Sequence, residues 1–241
     1  ADEVPASDGT WTTQVNRIVM DDVVPTAPGA PRQAIVIPST LGPTSVPVRL
    51  SWTAGFDAGS GVEAHRLSPD IDGAGFESPS IVVGTSAVRP LLLGSTYQFR
   101  VASQDAVGLV SADSYGPVFT PTVYPQRTRT TSAGTWRTGS SASYSGGTTR
   151  YATAAGASAT FSFTGRAVAF TTAKGPTRGR FKVYLDGRYK GTFNTYASRS
   201  RHRQVLYGYA WSSAGAHKLK IVVVGTAGHP RVDVDAFVVL R

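Results

Sequence analysis

The sequence predicts an all-β chain made of two sandwiches, and three observations carry that expectation. Thr, Ser, Val, Gly and Tyr are plentiful while Glu is rare, a composition that favours strands and turns over helices. Apolar residues recur with a period of two in short segments, and no stretch shows the period of about 3.6 that marks a helix. Gly, Pro and Asp punctuate those segments as turns. At roughly 100–150 residues per domain, 241 residues provide for two cores.

The elements follow in order. Residues 1–26 hold one strand-like piece, 11–20, with Val15, Ile18 and Met20 as its apolar positions. It reads either as an arm docked on the next domain or as the last strand of a preceding repeat. From residue 27 the chain becomes Pro-rich and then alternates. Val48, Leu50 and Trp52 fall on one face of a strand, and Tyr97, Phe99 and Val101 on one face of another. A polar, Pro-bounded stretch, 122–133, is predicted as a linker between domains 27–121 and 134–241. Beyond it, strands are predicted at 159–163, 167–171, 181–185, 189–193, 203–211, 218–224 and 232–240. Asp186-Gly187 sits between two alternating runs, the strongest short-range signal for a hairpin, because both residues tolerate positive φ.

Two family resemblances arise from these residues. The Pro-rich entry, Leu50-Ser-Trp52, the turn at 57–62, and Leu93-Gly-Ser-Thr-Tyr97-Gln-Phe-Arg-Val101 through Asp105 resemble a fibronectin type III module over 27–121. The resemblance implies a core role for Trp52 and a tyrosine corner at Tyr97. His65 departs from the family, which usually has Tyr there. The second unit is similar to the galactose-binding-like jelly rolls over 134–241. Tyr144-Ser-Gly-Gly-Thr148, 159–165, Val183-Tyr-Leu-Asp-Gly187, 215–221 and 232–240 carry that likeness. It implies a carbohydrate-binding or adhesive module of a bacterial secreted protein. Many relatives hold a structural calcium, and Asp235 stands at the last-strand position. Residues 127–165 contain no Asp or Glu, however, which argues against the ion here, so no cofactor is expected.

Charge divides at the same boundary. Residues 1–121 carry 6 Lys+Arg and 12 Asp+Glu, while residues 122–241 carry 18 and 3. The basic half therefore calls for an anionic partner. The absence of cysteine excludes disulfides and thiolate chemistry, and the four scattered His show no zinc spacing. No apolar run approaches the ~18 residues of a membrane span, so no membrane insertion is expected. The chain starts at Ala1 without Met, as expected of a processed or trimmed C-terminal part of a larger protein. Asp57, Asp70, Asp72 and Asp105 suggest calcium, but they lack EF-hand spacing and read rather as turn-capping or solvated carboxylates.

No credible catalytic constellation is present. The basic half offers only Asp186 and the Asp233/Asp235 pair, there is no G-x-S-x-G elbow, and the Gly-rich turns lack a P-loop Lys. Binding is better supported. Arg199, Arg201 and Arg203 alternate, so an extended backbone would aim three guanidiniums to one side and His202 to the other. Guanidinium forks suit carboxylate, sulfate or phosphate. Lys174, Arg178 and Arg180 form a second cationic turn, and Tyr196 is the best-placed aromatic. The candidate ligand-binding residues are Lys174, Arg178, Tyr196, Arg199, Arg201 and Arg203. The alternative for these cations is a solvated, edge-protecting pattern. Tyr207, Tyr209, Trp211 and Trp136 read as core. The expected partner is an anionic glycan or cell-surface polymer, the expected location secreted or cell-surface. A structural or assembly module docking on a protein or on its own copies is the alternative, as is an accessory region of a secreted hydrolase. No nucleic-acid-binding motif is present, and the acidic first half argues against that partner.

Overall fold

The computed structural model describes the backbone of strands Asp2–Pro5 and Trp11–Gln14 and all of residues 21–241. It is nearly all β, with no α-helix among the described residues. Asp2–Pro5 and Trp11–Gln14 pair as an antiparallel hairpin. The rest of the strand expected over 11–20, with Val15, Ile18 and Met20, lies outside the described residues.

Seven strands form the N-terminal sandwich. Arg32–Ile35, Ser45–Ser51 and Ser86–Leu92 make one sheet, and Ser114–Tyr115, Tyr97–Asp105, Val62–Ile71 and Ser80–Val82 make the other. The alternation reads out as expected. Val46, Val48 and Leu50 are buried from one sheet against Tyr97, Phe99 and Val101 of the other. Trp52 joins that core with its ring 5.5 Å from His65, edge to face. His65 is buried, and desolvation lowers its pKa, so its ring is held neutral as an aromatic filler. The Tyr97 hydroxyl accepts the Leu92 N–H at 2.8 Å, the corner bond that its position implied.

In the C-terminal sandwich the main sheet runs Pro121–Pro125, Ala236–Leu240, Ser158–Lys174, Arg201–Val223, Arg180–Leu185, Arg188–Asn194, with Thr130–Ala133 added alongside Ser158–Lys174. A three-stranded sheet of Arg137–Ser140, Thr148–Ala152 and Val232–Val234 lies apart from it. Phe161, Phe170, Phe181 and Phe237 fill the centre, Phe161 stacked on Phe237 at 4.3 Å. Asp186 and Gly187, with φ of 50° and 79°, close the hairpin between Arg180–Leu185 and Arg188–Asn194.

The stretch expected as a linker is no linker. Pro121–Pro125 pairs residue for residue with Ala236–Leu240, and Thr130–Ala133 pairs with the start of Ser158–Lys174. Edge strands are often polar and carry Pro, so their composition mimics a linker.

The two sandwiches share a core. Along Ala236–Leu240 and the second half of Ser158–Lys174, successive side chains alternate between two hydrophobic clusters. Val168, Phe170, Phe237 and Val239 enter the C-terminal core, whereas Ala167, Ala169, Val238 and Leu240 join the N-terminal one. A short strand, Ser39–Thr40, extends the ladder by pairing with Gln204 and Val205. The contact is close at Gly208, where a Cβ would lie 2.2 Å from Ile37 Cδ1. An antiparallel sheet with one wet face would show apolar residues at every second position. Ala236–Leu240 and the 167–170 stretch are apolar at every position because both their faces are covered.

Candidate functional site

Three loops meet at one end of the C-terminal sandwich: 174–179, 194–201 and 226–231. Backbone bonds tie them together. The Gly175 N–H donates to the Thr195 carbonyl at 3.0 Å, the Thr195 N–H to Gly179 at 2.9 Å and the Gly179 N–H to Arg231 at 2.9 Å. Lys174 and Arg201 are direct partners across the ladder. Tyr196 bridges to Gly175 and leaves 46% of its surface exposed. Its ring meets His229 edge-on at 4.7 Å, and His229 Nδ1 hydrogen-bonds the Pro176 carbonyl. Arg199 is exposed on the same 194–201 loop. The fold thus sets Lys174 beside Arg201 and Tyr196 beside His229, which sequence reasoning did not select, with Arg199 on the same loop as Tyr196.

The other two candidates turn inward. Arg178 is 7% exposed, with Nε on Asp233 Oδ2 at 3.0 Å and Nη2 on the Tyr144 hydroxyl at 3.2 Å. Arg231 holds the same carboxylate through Nε at 3.0 Å, and its guanidinium lies 3.8 Å from the Tyr151 ring centroid. Arg178 is therefore half of a buried ion pair and not a free cation. Arg203 departs from the alternation as well. Its φ is 54° and the pairing register shifts beside it, so its side chain swings onto the 142–144 loop. There it donates to the Ser143 carbonyl at 3.2 Å and the Tyr144 carbonyl at 3.1 Å. The expected row of three guanidiniums is thus reduced to Arg199 and Arg201.

This geometry also tests the calcium implied by the jelly-roll resemblance. Asp235 is fully buried, with Oδ1 accepting the Ser145 N–H at 2.8 Å and Oδ2 unpartnered. Burial pushes its pKa up to about 7, against the pull of the Ser145 N–H and the nearby Arg203 charge. A calcium ion takes about 6–8 oxygens. Here one carboxylate oxygen is spare, and a guanidinium already occupies the neighbouring carbonyls, so these residues do not fit the ion.

A second basic surface escaped the sequence reading. On the outward face of the main sheet, Tyr184 is the register partner of Lys220, and Lys220 and Lys218 are partners of Thr160 and Ser162. Lys182, Lys218 and Lys220 are exposed. Lys218 is shared by two adjoining clefts, one containing Tyr184 and Lys220, the other Arg129, Asp186 and His217. Burial alone would raise Asp186, but the Lys218 N–H and the His217 ring hold it below the ordinary carboxylate value. The available signal was the alternation of Lys-Leu-Lys-Ile at 218–221. Of the aromatics read as core, Tyr207 is buried. Trp211 and Trp136 are half-buried against the core, and Tyr209 is 43% exposed.

No family model matches the sequence, and no curated protein does. Several solved structures resemble about half of the chain. The catalytic domain of Agl-KA shows 15% identity over 50% of this chain and 27% of its own, with a TM-score of 0.38. A family two carbohydrate esterase from Cellvibrio japonicus shows 10% identity over 51% and 34%, with a TM-score of 0.40. The CBM36-1 domain of a multidomain xylanase from the hindgut metagenome of Trinervitermes trinervoides shows 16% identity over 49% and 95%, with a TM-score of 0.34. The chain spans about a quarter to a third of the first two.

Proposed function

We propose that this chain is a non-catalytic, extracellular binding module. Its basic jelly roll reads an anionic carbohydrate or cell-surface polymer, and the acidic, fibronectin type III-like sandwich of 27–121 acts as a spacer. Lys174, Arg199 and Arg201 supply the charge, and Tyr196 supplies a face for a sugar ring. One observation supports this reading above the others: the charge of the basic half is uncompensated at its surface. Of its three carboxylates, Asp233 and Asp235 are fully buried and Asp186 is engaged by His217 at 2.8 Å. Of the eighteen Lys and Arg of this half, Arg178 is buried and Arg231 is held on Asp233, and the exposed remainder face solvent with almost no acidic neighbours from their own half.

The test is a glycan array with anionic and neutral polymers, read at low salt and at about 0.5 M salt, where screening removes long-range attraction. Selective anionic binding that survives high salt is expected, as is its weakening by the double variant Arg199→Ala/Arg201→Ala at unchanged Tm. Binding to every polyanion that vanishes at high salt would overturn the shaped site. No binding, together with concentration-dependent self-association, would replace the reading with an assembly role.

A further inference from the structure

The acidic half holds a carboxylate cluster that the basic site does not explain. Asp21, Asp57 and Asp105 each offer an oxygen, and these oxygens all lie within 4.8 Å of one another. Two oxygens bound to one calcium at about 2.4 Å can be no more than about 4.8 Å apart, so the cluster meets the outer limit a shared ion sets.

The backbone orients each carboxylate and leaves part of it free. Asp21 accepts the Ser60 N–H on Oδ2 at 2.6 Å and the Val23 N–H on Oδ1 at 3.2 Å. Asp57 Oδ2 accepts the Gly61 N–H at 2.7 Å, and its Oδ1 is buried with no partner. Asp105 is 0% exposed. Its Oδ1 accepts Leu109 N–H at 2.8 Å and Val107 N–H at 3.1 Å, while Oδ2 is buried with no partner. Among the described residues none of the three carboxylates has a salt bridge. A fully buried carboxylate oxygen with neither donor nor counter-charge is costly, and two such oxygens in one cluster more so.

We infer that Asp21, Asp57 and Asp105 form a calcium site. The donors are all oxygen, which excludes the nitrogen and sulfur preference of zinc. A cleft lined by Asp21, Gly59, Ser60, Val107 and Leu109 reaches the cluster at Asp21, where water can add to the ~6–8 oxygens calcium takes. The cradle is close-fitting, since a Cβ on Gly59 would lie 2.4 Å from the Asp21 carboxylate. Asp21 lies ahead of the sandwich, Asp57 in the turn before Val62–Ile71, and Asp105 at the end of Tyr97–Asp105. One ion thus pins the entering chain to two loops of the fold. Of the two other aspartates weighed with them, Asp70 caps its own turn through the Gly75 N–H at 3.2 Å, while Asp72 accepts the N–H of the distant Thr96 at 2.7 Å.

Titration calorimetry of CaCl2 into the EDTA-stripped full chain, paired with thermal unfolding in calcium and in EDTA, tests the site. One calcium per chain and a Tm that rises with calcium concentration are expected, with a smaller response to magnesium. Asp21→Asn serves as the diagnostic variant because Asp105→Asn removes a fully buried group. Asp21→Asn is expected to bind calcium at least tenfold more weakly while its Tm in EDTA equals or exceeds that of the unsubstituted chain. Asp70→Asn is expected to bind normally. Identical Tm in calcium and EDTA with no heat of binding would overturn the inference, and so would undiminished binding by Asp21→Asn.

Discussion

Each half of the molecule gathers aspartates beneath its surface loops or within its core, and the two halves balance them in opposite ways. In the basic half, Asp233 is clamped by Arg178 and Arg231, and the Arg203 charge lies near Asp235. In the acidic half, Asp21, Asp57 and Asp105 crowd together with no guanidinium or ammonium among the described residues. The difference teaches that cations counted along a sequence are not equivalent. Some belong to the interior and are consumed there, and only the remainder are available to a partner. Where the chain supplies none, the charge has to come from solution.

The largest test of this contrast is removal of the clamped carboxylate. Asp233→Ala strands two guanidiniums, one of them buried, and is expected to cost about 3–5 kcal/mol, measured by urea unfolding. A loss under about 1 kcal/mol would mean the clamp is a surface pair in effect.

Next comes the pH dependence of Asp235. Its folded value, about 7, lies above the ordinary 3.8, so the folded state keeps a proton that the unfolded chain releases. The sign follows: this group's contribution is full below about pH 4 and is lost as pH rises through about 7, a change on the order of a few kcal/mol. Asp235→Asn should therefore flatten the stability curve between pH 4 and 7 and gain on the unsubstituted chain at pH 8. Comparing the two chains removes the contributions of His65 and His202, whose values burial lowers from the ordinary histidine value. Parallel curves would show that the carboxyl does not titrate there.

The smallest effect is expected on the other side of the comparison. In EDTA, Asp57→Asn relieves repulsion within the acidic cluster and should change stability by less than about 1 kcal/mol or raise it, while abolishing the calcium-dependent rise in Tm. A loss of several kcal/mol in EDTA would show that this carboxylate is already balanced within the chain.

Much of the fold was legible because burial has a period. Val48 with Leu50, and Tyr97 with Phe99 and Val101, alternate against a single core, and Asp186-Gly187 has the chemistry of its turn. The reading ran out where a strand has two covered faces, as at Ala236–Leu240, since alternation there carries no information about which core a residue joins. It also ran out at the cations. Arg178 and Arg199 look alike in sequence, and only the positions of Asp233 and Tyr144 decide that one is interior. Arg203 was misread because strand alternation presumes negative φ. The Asp21 cluster was only partly legible: Asp57 and Asp105 suggest calcium but are set aside for lack of EF-hand spacing, Asp21 comes from a third distant segment, and turn capping explained Asp57 and Asp105 separately.

The sheet that serves both cores has a practical corollary for anyone dividing the chain. A cut between 125 and 134 would strip Ala236–Leu240 of its edge partner and turn Ala167, Ala169, Val205, Val238 and Leu240 out to water as one greasy panel. Such a panel beside an open strand edge is a template for aggregation. The fragments would misbehave in ways that say nothing about the ligand, so the unit of experiment is the pair.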